Sequence, residues 1–116
     1  MNEPLIIIAR MQAAPGAADA LEAEMKVLVE ETRAEPGCLR YELNRSHEAE
    51  DIFVFVESWE TLALWQAHMT GEAIRRFNAR IPDMIAQGEI MQLHQVIRPR
   101  DVAPRPAPRS AGLSSR

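Results

Sequence analysis

Apolar residues open the chain as a short isoleucine-rich run. Leu5 to Met11 favours a β-strand, because β-branched side chains pack well on a pleated surface. Pro15-Gly16 breaks it. From Ala17 to Ala34 the period becomes helical, with Leu21, Met25, Leu28 and Thr32 on one face and Glu22 and Lys26 as an i,i+4 pair on another. Pro36-Gly37 ends that helix. Cys38 to Arg45 alternates: Leu39, Tyr41 and Leu43 point one way, and Cys38, Arg40, Glu42 and Asn44 the other. After a polar loop over 46–51, Ile52 to Trp59 is the strongest strand, with Phe53, Phe55, Glu57 and Trp59 on one face. The two strands read as an antiparallel hairpin.

Ser58 or Thr61 is placed to cap a second helix, whose apolar positions are Leu62, Leu64, Trp65 and Met69. Thr70-Gly71 interrupts it. Helical spacing resumes from Glu72 to about Ile85 through Ile74, Phe77 and Ile81, with Pro82 expected to kink or shorten the stretch and Gly88 to close it. Glu89 to Arg98 alternates with apolar residues on both faces, which predicts a strand buried on both sides. The order β-α-β-β-α-β predicts an α+β, ferredoxin-like antiparallel sheet with two helices on one face. Ile6, Ile8, Ile52, Val54 and Val56 then form a second apolar face that the helices cannot cover. Such a patch predicts a homodimer packing sheet against sheet, a dimeric α+β barrel.

Length and composition narrow the function classes. The 116 residues fit one domain, and 47% hydrophobic with 26% charged residues matches an ordinary globular chain. No apolar run approaches the roughly 20 residues of a membrane span, and no signal peptide is legible, so no membrane role and a cytoplasmic location are expected. The single cysteine, Cys38, excludes an internal disulfide and a cysteine-based zinc cage. His47, His68 and His94 lack metal-ligand spacing, and the scattered glycines form no phosphate loop, so neither metal nor nucleotide cofactor is expected. Charge is uneven. Residues 98–116 carry +4 and residues 1–97 carry −8, so the acidic body argues against nucleic acid as partner. The domain is expected over 1–99, and the Pro/Arg-rich 100–116 is read as a disordered tail.

The segment Glu35-Pro36-Gly37-Cys38-Leu39-Arg40-Tyr41-Glu42-Leu43, then Phe53-Val54-Phe55-Val56-Glu57-Ser58-Trp59-Glu60, then His68-Met69-Thr70, resembles the antibiotic biosynthesis monooxygenase domain. The small quinol monooxygenase-like members look most similar, and the resemblance covers about residues 5–97. It implies a dimeric α+β barrel without metal, flavin or haem. It also implies oxidation by dioxygen of an electron-rich phenol, quinol or anthrone, whose own electrons are used.

With that resemblance, His68 is the candidate proton acceptor, since imidazole titrates near neutrality. Trp59 offers an aromatic face and one N–H donor, or anchors a strand end. Glu57, a carboxylate on an aromatic face, is either a paired structural acid or a second proton acceptor. These three are the expected catalytic residues. Tyr41, Phe55, Trp65, Arg76 and Phe77 are expected to bind substrate; Arg76 or Arg80 either steadies a phenolate or belongs with Arg75 to a solvated helical face. Some quinol-oxidising members use an Asn four residues before the Trp, where this chain has Phe55. Cys38 reads as a small packing residue, His94 as an interface histidine and His47 as exposed. Two other functions fit the same residues: an isomerase or tautomerase of a small carbonyl compound, and a non-catalytic dimer that binds a small metabolite. A haem-degrading activity would want an Asn on the first strand, and Leu5–Met11 has none.

Overall fold

The computed structural model describes residues 3–97. Its order is β1 (Leu5–Ala13), α1 (Ala18–Thr32), β2 (Cys38–Arg45), β3 (Ile52–Trp59), α2 (Leu62–Met69), α3 (Glu72–Arg80) and β4 (Ile85–His94). The four strands form one antiparallel sheet in the order β2-β3-β1-β4, as the ferredoxin-like pattern predicts. The expected tail over 100–116 lies outside the described residues.

Strand alternation decides what each sheet face carries. Ile7 and Ala9 of β1, and Phe53, Phe55, Glu57 and Trp59 of β3, are buried on the inner face. Leu21, Met25, Leu28, Val29 and Thr32 of α1 and Trp65, His68, Ala73 and Phe77 of α2 and α3 close the core above them. The opposite face carries Ile6 and Ile8 beside Val54, Val56, Met91 and Leu93, none of them buried. Thr61, rather than Ser58, caps α2: its Oγ1 accepts the Leu64 N–H at 3.1 Å.

Three local expectations are corrected. Helix α3 stops at Arg80, because Pro82 cannot continue a helix and Asp83 takes a left-handed φ of 63°. The strand therefore begins at Ile85, and Gly88 lies within it. Leu39 does not share the Tyr41 face. A bulge between Cys38 and Arg40 sets Cys38 opposite Trp59 and leaves Leu39 more than half exposed. Strand β4 is not buried on both sides: it is an edge strand, and Ile90, Met91 and Leu93 are 43–45% exposed in the single chain.

The turn after α1 is under double constraint. Gly37 has φ +80°, and a Cβ there would meet Leu64 Cδ1 at 2.4 Å. Its carbonyl also accepts the Glu60 N–H at 2.9 Å. The bare backbone thus lets the α1–β2 turn lie directly against α2. Gly37→Ala should cost roughly 2–5 kcal/mol, the sum of a left-handed backbone penalty and overpacking. Urea unfolding of the two proteins checks it, and an unchanged midpoint would refute the close-approach account.

Candidate functional site

Strands β2 and β3 bring Tyr41 and Glu57 side by side as cross-strand partners on the inner face. Helix α2 supplies His68 from its last turn, and the α1–β2 turn supplies Glu35. The His68 side chain is almost wholly buried and stacks on Trp59, centroids 4.8 Å apart and planes tilted by 31°. Its Nδ1 lies 2.9 Å from Glu35 Oε1. A carboxylate only accepts, so the proton sits on Nδ1 and Nε2 is left bare. The Tyr41 hydroxyl then donates to Nε2 over a long 3.5 Å.

These groups border an apolar cavity of about 120 Å³ between sheet and helices. Ile7, Ala9, Met11 and Phe55 form its floor, and Trp65, Met69, Ile74 and Phe77 its helical wall. Tyr41, Glu57 and His68 are polar groups in that lining. The Trp65 indole N–H is buried without a hydrogen-bond partner.

Burial moves the two titratable groups in opposite directions. Desolvation pushes the Glu57 carboxyl up to about 7, opposed by the indole N–H of Trp59, which donates to Glu57 Oε1 at 2.9 Å. Desolvation holds the His68 imidazole below its ordinary value, opposed by Glu35. Both shifts favour the uncharged form. Tyr41 is raised well above the usual phenol range by burial and by the nearby Glu57.

The structure brings together most of the residues singled out in the sequence. His68, Glu57, Tyr41, Phe55, Trp65 and Phe77 all border the cavity. Trp59 does not. It is fully buried behind His68, with its N–H taken by Glu57, so it positions both groups instead of facing a ligand. Arg76 is also displaced from the cavity. It lies in an outer groove, 3.3 Å from Glu31 and 4.0 Å from Glu72, because that face of α3 looks toward α1. Glu35 was missed as a functional residue. It belongs to the quoted Glu-Pro-Gly-Cys segment, yet lies 33 residues from its partner. His47 and His94 are exposed. No helix among the described residues is long and apolar enough to cross a membrane.

Comparison with known proteins adds a lineage to this geometry. Residues 4–80 match the family model described as antibiotic biosynthesis monooxygenase. The crystal structure of PA3566 from Pseudomonas aeruginosa is 36% identical, with a TM-score of 0.79, over 84% of this chain and 98% of that one. The protein named "Putative monooxygenase Rv0793" of Mycobacterium tuberculosis is 28% identical over 75% of this chain and 85% of its own. The uncharacterized protein sll1783 of Synechocystis is 21% identical over 82% of this chain, which spans only 65% of that relative's length.

The opposed shifts have a consequence for stability. Between 4.5, the ordinary carboxyl value, and about 7, the native chain holds a proton on Glu57 that the unfolded chain has lost. Stability from Glu57 is therefore complete below that window and falls as pH rises through it, by about 3 kcal/mol at most. His68 has the reverse sign: its contribution is present above 6.5 and lost as pH falls. Glu57→Gln should remove the fall in stability between pH 4.5 and about 7 in urea unfolding. A variant curve parallel to the parent curve would show that Glu57 is not held protonated.

Proposed function

The chain belongs to the antibiotic biosynthesis monooxygenase family, and we propose that its cavity binds a small electron-rich aromatic and lets dioxygen oxidise it without a cofactor. The observation that carries this reading is the buried imidazole whose unprotonated Nε2 borders an apolar cavity, with only the long contact to Tyr41 on it. A phenolic O–H that takes the place of the Tyr41 hydroxyl, held at only 3.5 Å, gives up its proton to Nε2 of His68. The resulting anion is electron-rich enough to reduce dioxygen. For a hydroquinone the balance closes: hydroquinone and dioxygen yield a hydroxyquinone and water, with the four electrons that reduce dioxygen drawn from the ring.

Cavity size favours the quinol over the larger substrates. An apolar cavity of about 150 Å³ takes up a benzene ring, and this one is about 120 Å³. A single ring fits with modest rearrangement, whereas a three-ring anthrone requires the cavity to open. Trp65 supplies an unpartnered N–H in the cavity wall, a donor that a ligand oxygen satisfies.

The homodimer belongs to the same proposal. Ile8 pairs with Val56 on one side and Met91 on the other, and Ile6 pairs with Ser58 and Leu93. This leaves a contiguous apolar patch on the face away from the helices, and a second copy of the same face covers it. Val56→Arg should leave a folded monomer or a much weaker dimer in sedimentation equilibrium. A dimer of undiminished strength would place the contact elsewhere.

Dioxygen uptake by purified, metal-stripped protein tests the chemistry on a panel of single-ring hydroquinones, against each compound alone. Uptake should exceed autoxidation, and His68→Ala should lower kcat by about 100-fold or more, the scale of a general base. Trp59→Phe, which removes the donor to Glu57, should lose less. Absence of uptake across the panel from an intact protein would overturn the oxygenase in favour of proton-transfer chemistry on a carbonyl compound or simple binding.

A further inference from the structure

Among the described residues, His68 is the one side chain that borders both the inner cavity and the groove beside Glu35. Its ring lines the inner cavity together with Tyr41 and Glu57. It also lines an outer groove formed by Glu31, Glu35, Pro36, Leu64, Glu72 and Arg76 among others, and no other residue is common to both. The imidazole therefore forms a partition, with Nε2 toward Tyr41 inside and Nδ1 toward Glu35 outside. The His68 side chain is 1% exposed and that of Glu35 is 23% exposed, so the pair runs from closed interior to solvent.

We propose that Glu35 is the exit for the proton taken from substrate: as Nε2 accepts a proton from the cavity, Nδ1 passes its own to Glu35 Oε1, which releases it into the outer groove. The transfer balances. One proton enters the ring at Nε2, one leaves at Nδ1, and the imidazole stays neutral in its other tautomer. The reverse passage restores the ring and returns a proton to an oxygen anion formed in the cavity. This rests on the reading of His68 as the proton acceptor, and it adds a positioning and relay residue to that site.

The surrounding groups favour that direction. Inside, Glu57 already accepts the Trp59 N–H, and the Tyr41 hydroxyl is itself the donor to Nε2. An imidazolium retained in the apolar cavity would be poorly solvated. Outside, α1 contributes Glu31 and α3 contributes Glu72 and Arg76, so with Glu35 the groove holds three carboxylates and one guanidinium. Arg75 also pairs with Glu72, so these side chains together carry a net single negative charge, which favours movement of a proton outward.

Glu35→Gln separates passing a proton from merely holding the ring, because the amide oxygen still accepts from Nδ1–H but takes no proton. The full chain is mixed, without oxygen, with 4-nitrophenol, whose anion is coloured, in weak buffer with a pH indicator. The parent protein should form the anion and release one proton to solvent in the same kinetic phase. Glu35→Gln should bind the dye with comparable affinity by tryptophan fluorescence, yet form the anion about tenfold more slowly or worse. Glu35→Asp should recover part of the rate. Equal anion formation in the Gln variant overturns the relay, as does a parent protein that keeps the proton on His68.

Nitrogen NMR of the His68 ring decides the matter even where the dye does not bind. The relay requires a proton on Nδ1 in the free protein, with exchange into water slowed about tenfold in Glu35→Gln. A bare Nδ1, or exchange indifferent to residue 35, overturns it. Intact proton release with no dioxygen uptake from any quinol would sink the oxygenase reading and leave the relay standing.

Discussion

A buried imidazole has two ring nitrogens to satisfy, and the structure around His68 is arranged by that requirement. An unmet polar group in the interior costs on the order of 1–3 kcal/mol. Glu35 meets Nδ1 from one side and Tyr41 approaches Nε2 from the other, while Trp59 lies against the ring face. Each partner comes from a different element. Glu35 reaches α2 only because the turn that follows it packs tightly on Leu64, which the missing Cβ of Gly37 permits. The glycine, the carboxylate and the imidazole thus form one chain of dependence from backbone conformation to the protonation state of the ring.

Most of the fold was legible because its signals are local. Alternation in β3 placed Phe53, Phe55, Glu57 and Trp59 on one face, and all four are buried there. The 3.6-residue period of α1 identified Leu21, Met25, Leu28 and Thr32, all buried. The failures arose where a single residue shifts register or where burial depends on neighbours distant in sequence. The bulge at Leu39 reverses the side on which Cys38 lies, and no composition signal marks it. Pro82 was recognised, yet the helical spacing that continues through Ile85 concealed the left-handed Asp83 and the early start of β4. At the site, Glu57 was legible as a carboxylate on an aromatic strand face, and His68 through the family resemblance. Glu35 was not, since one more glutamate beside Pro36 carries no sign of its partner 33 residues away.

The outer sheet face and the edge strand record the same constraint from the other direction. A strand with apolar residues on both faces belongs in an interior, and β4 has none in the single chain: Ile90 looks toward the cavity and Met91 and Leu93 look away from it. The pattern that read as a doubly buried strand is thus still informative. It describes an environment that one chain alone does not provide, and it agrees with the homodimer proposed above.

Burial acts on Glu57 and His68 with opposite effect on their pKa values and the same effect on their charge. It raises the acid to about 7 and lowers the base, so both shifts are toward the uncharged form, and Glu57 is about half protonated at pH 7. Below about pH 7, where Glu57 is mostly protonated, the cavity wall is uncharged and suits neutral ligands such as a quinol and dioxygen, because neither must displace tightly held water from an ion. Charge then arises only when a bound hydroxyl loses its proton. That step is unfavourable in an apolar enclosure unless the proton can be moved away from the anion it leaves behind. Glu35, outside the partition and in contact with it, is placed to meet that need. The separation of an apolar reaction space from an acidic outer groove by one imidazole is, on this reading, what allows a chamber built of aromatic and aliphatic side chains to carry out acid–base chemistry.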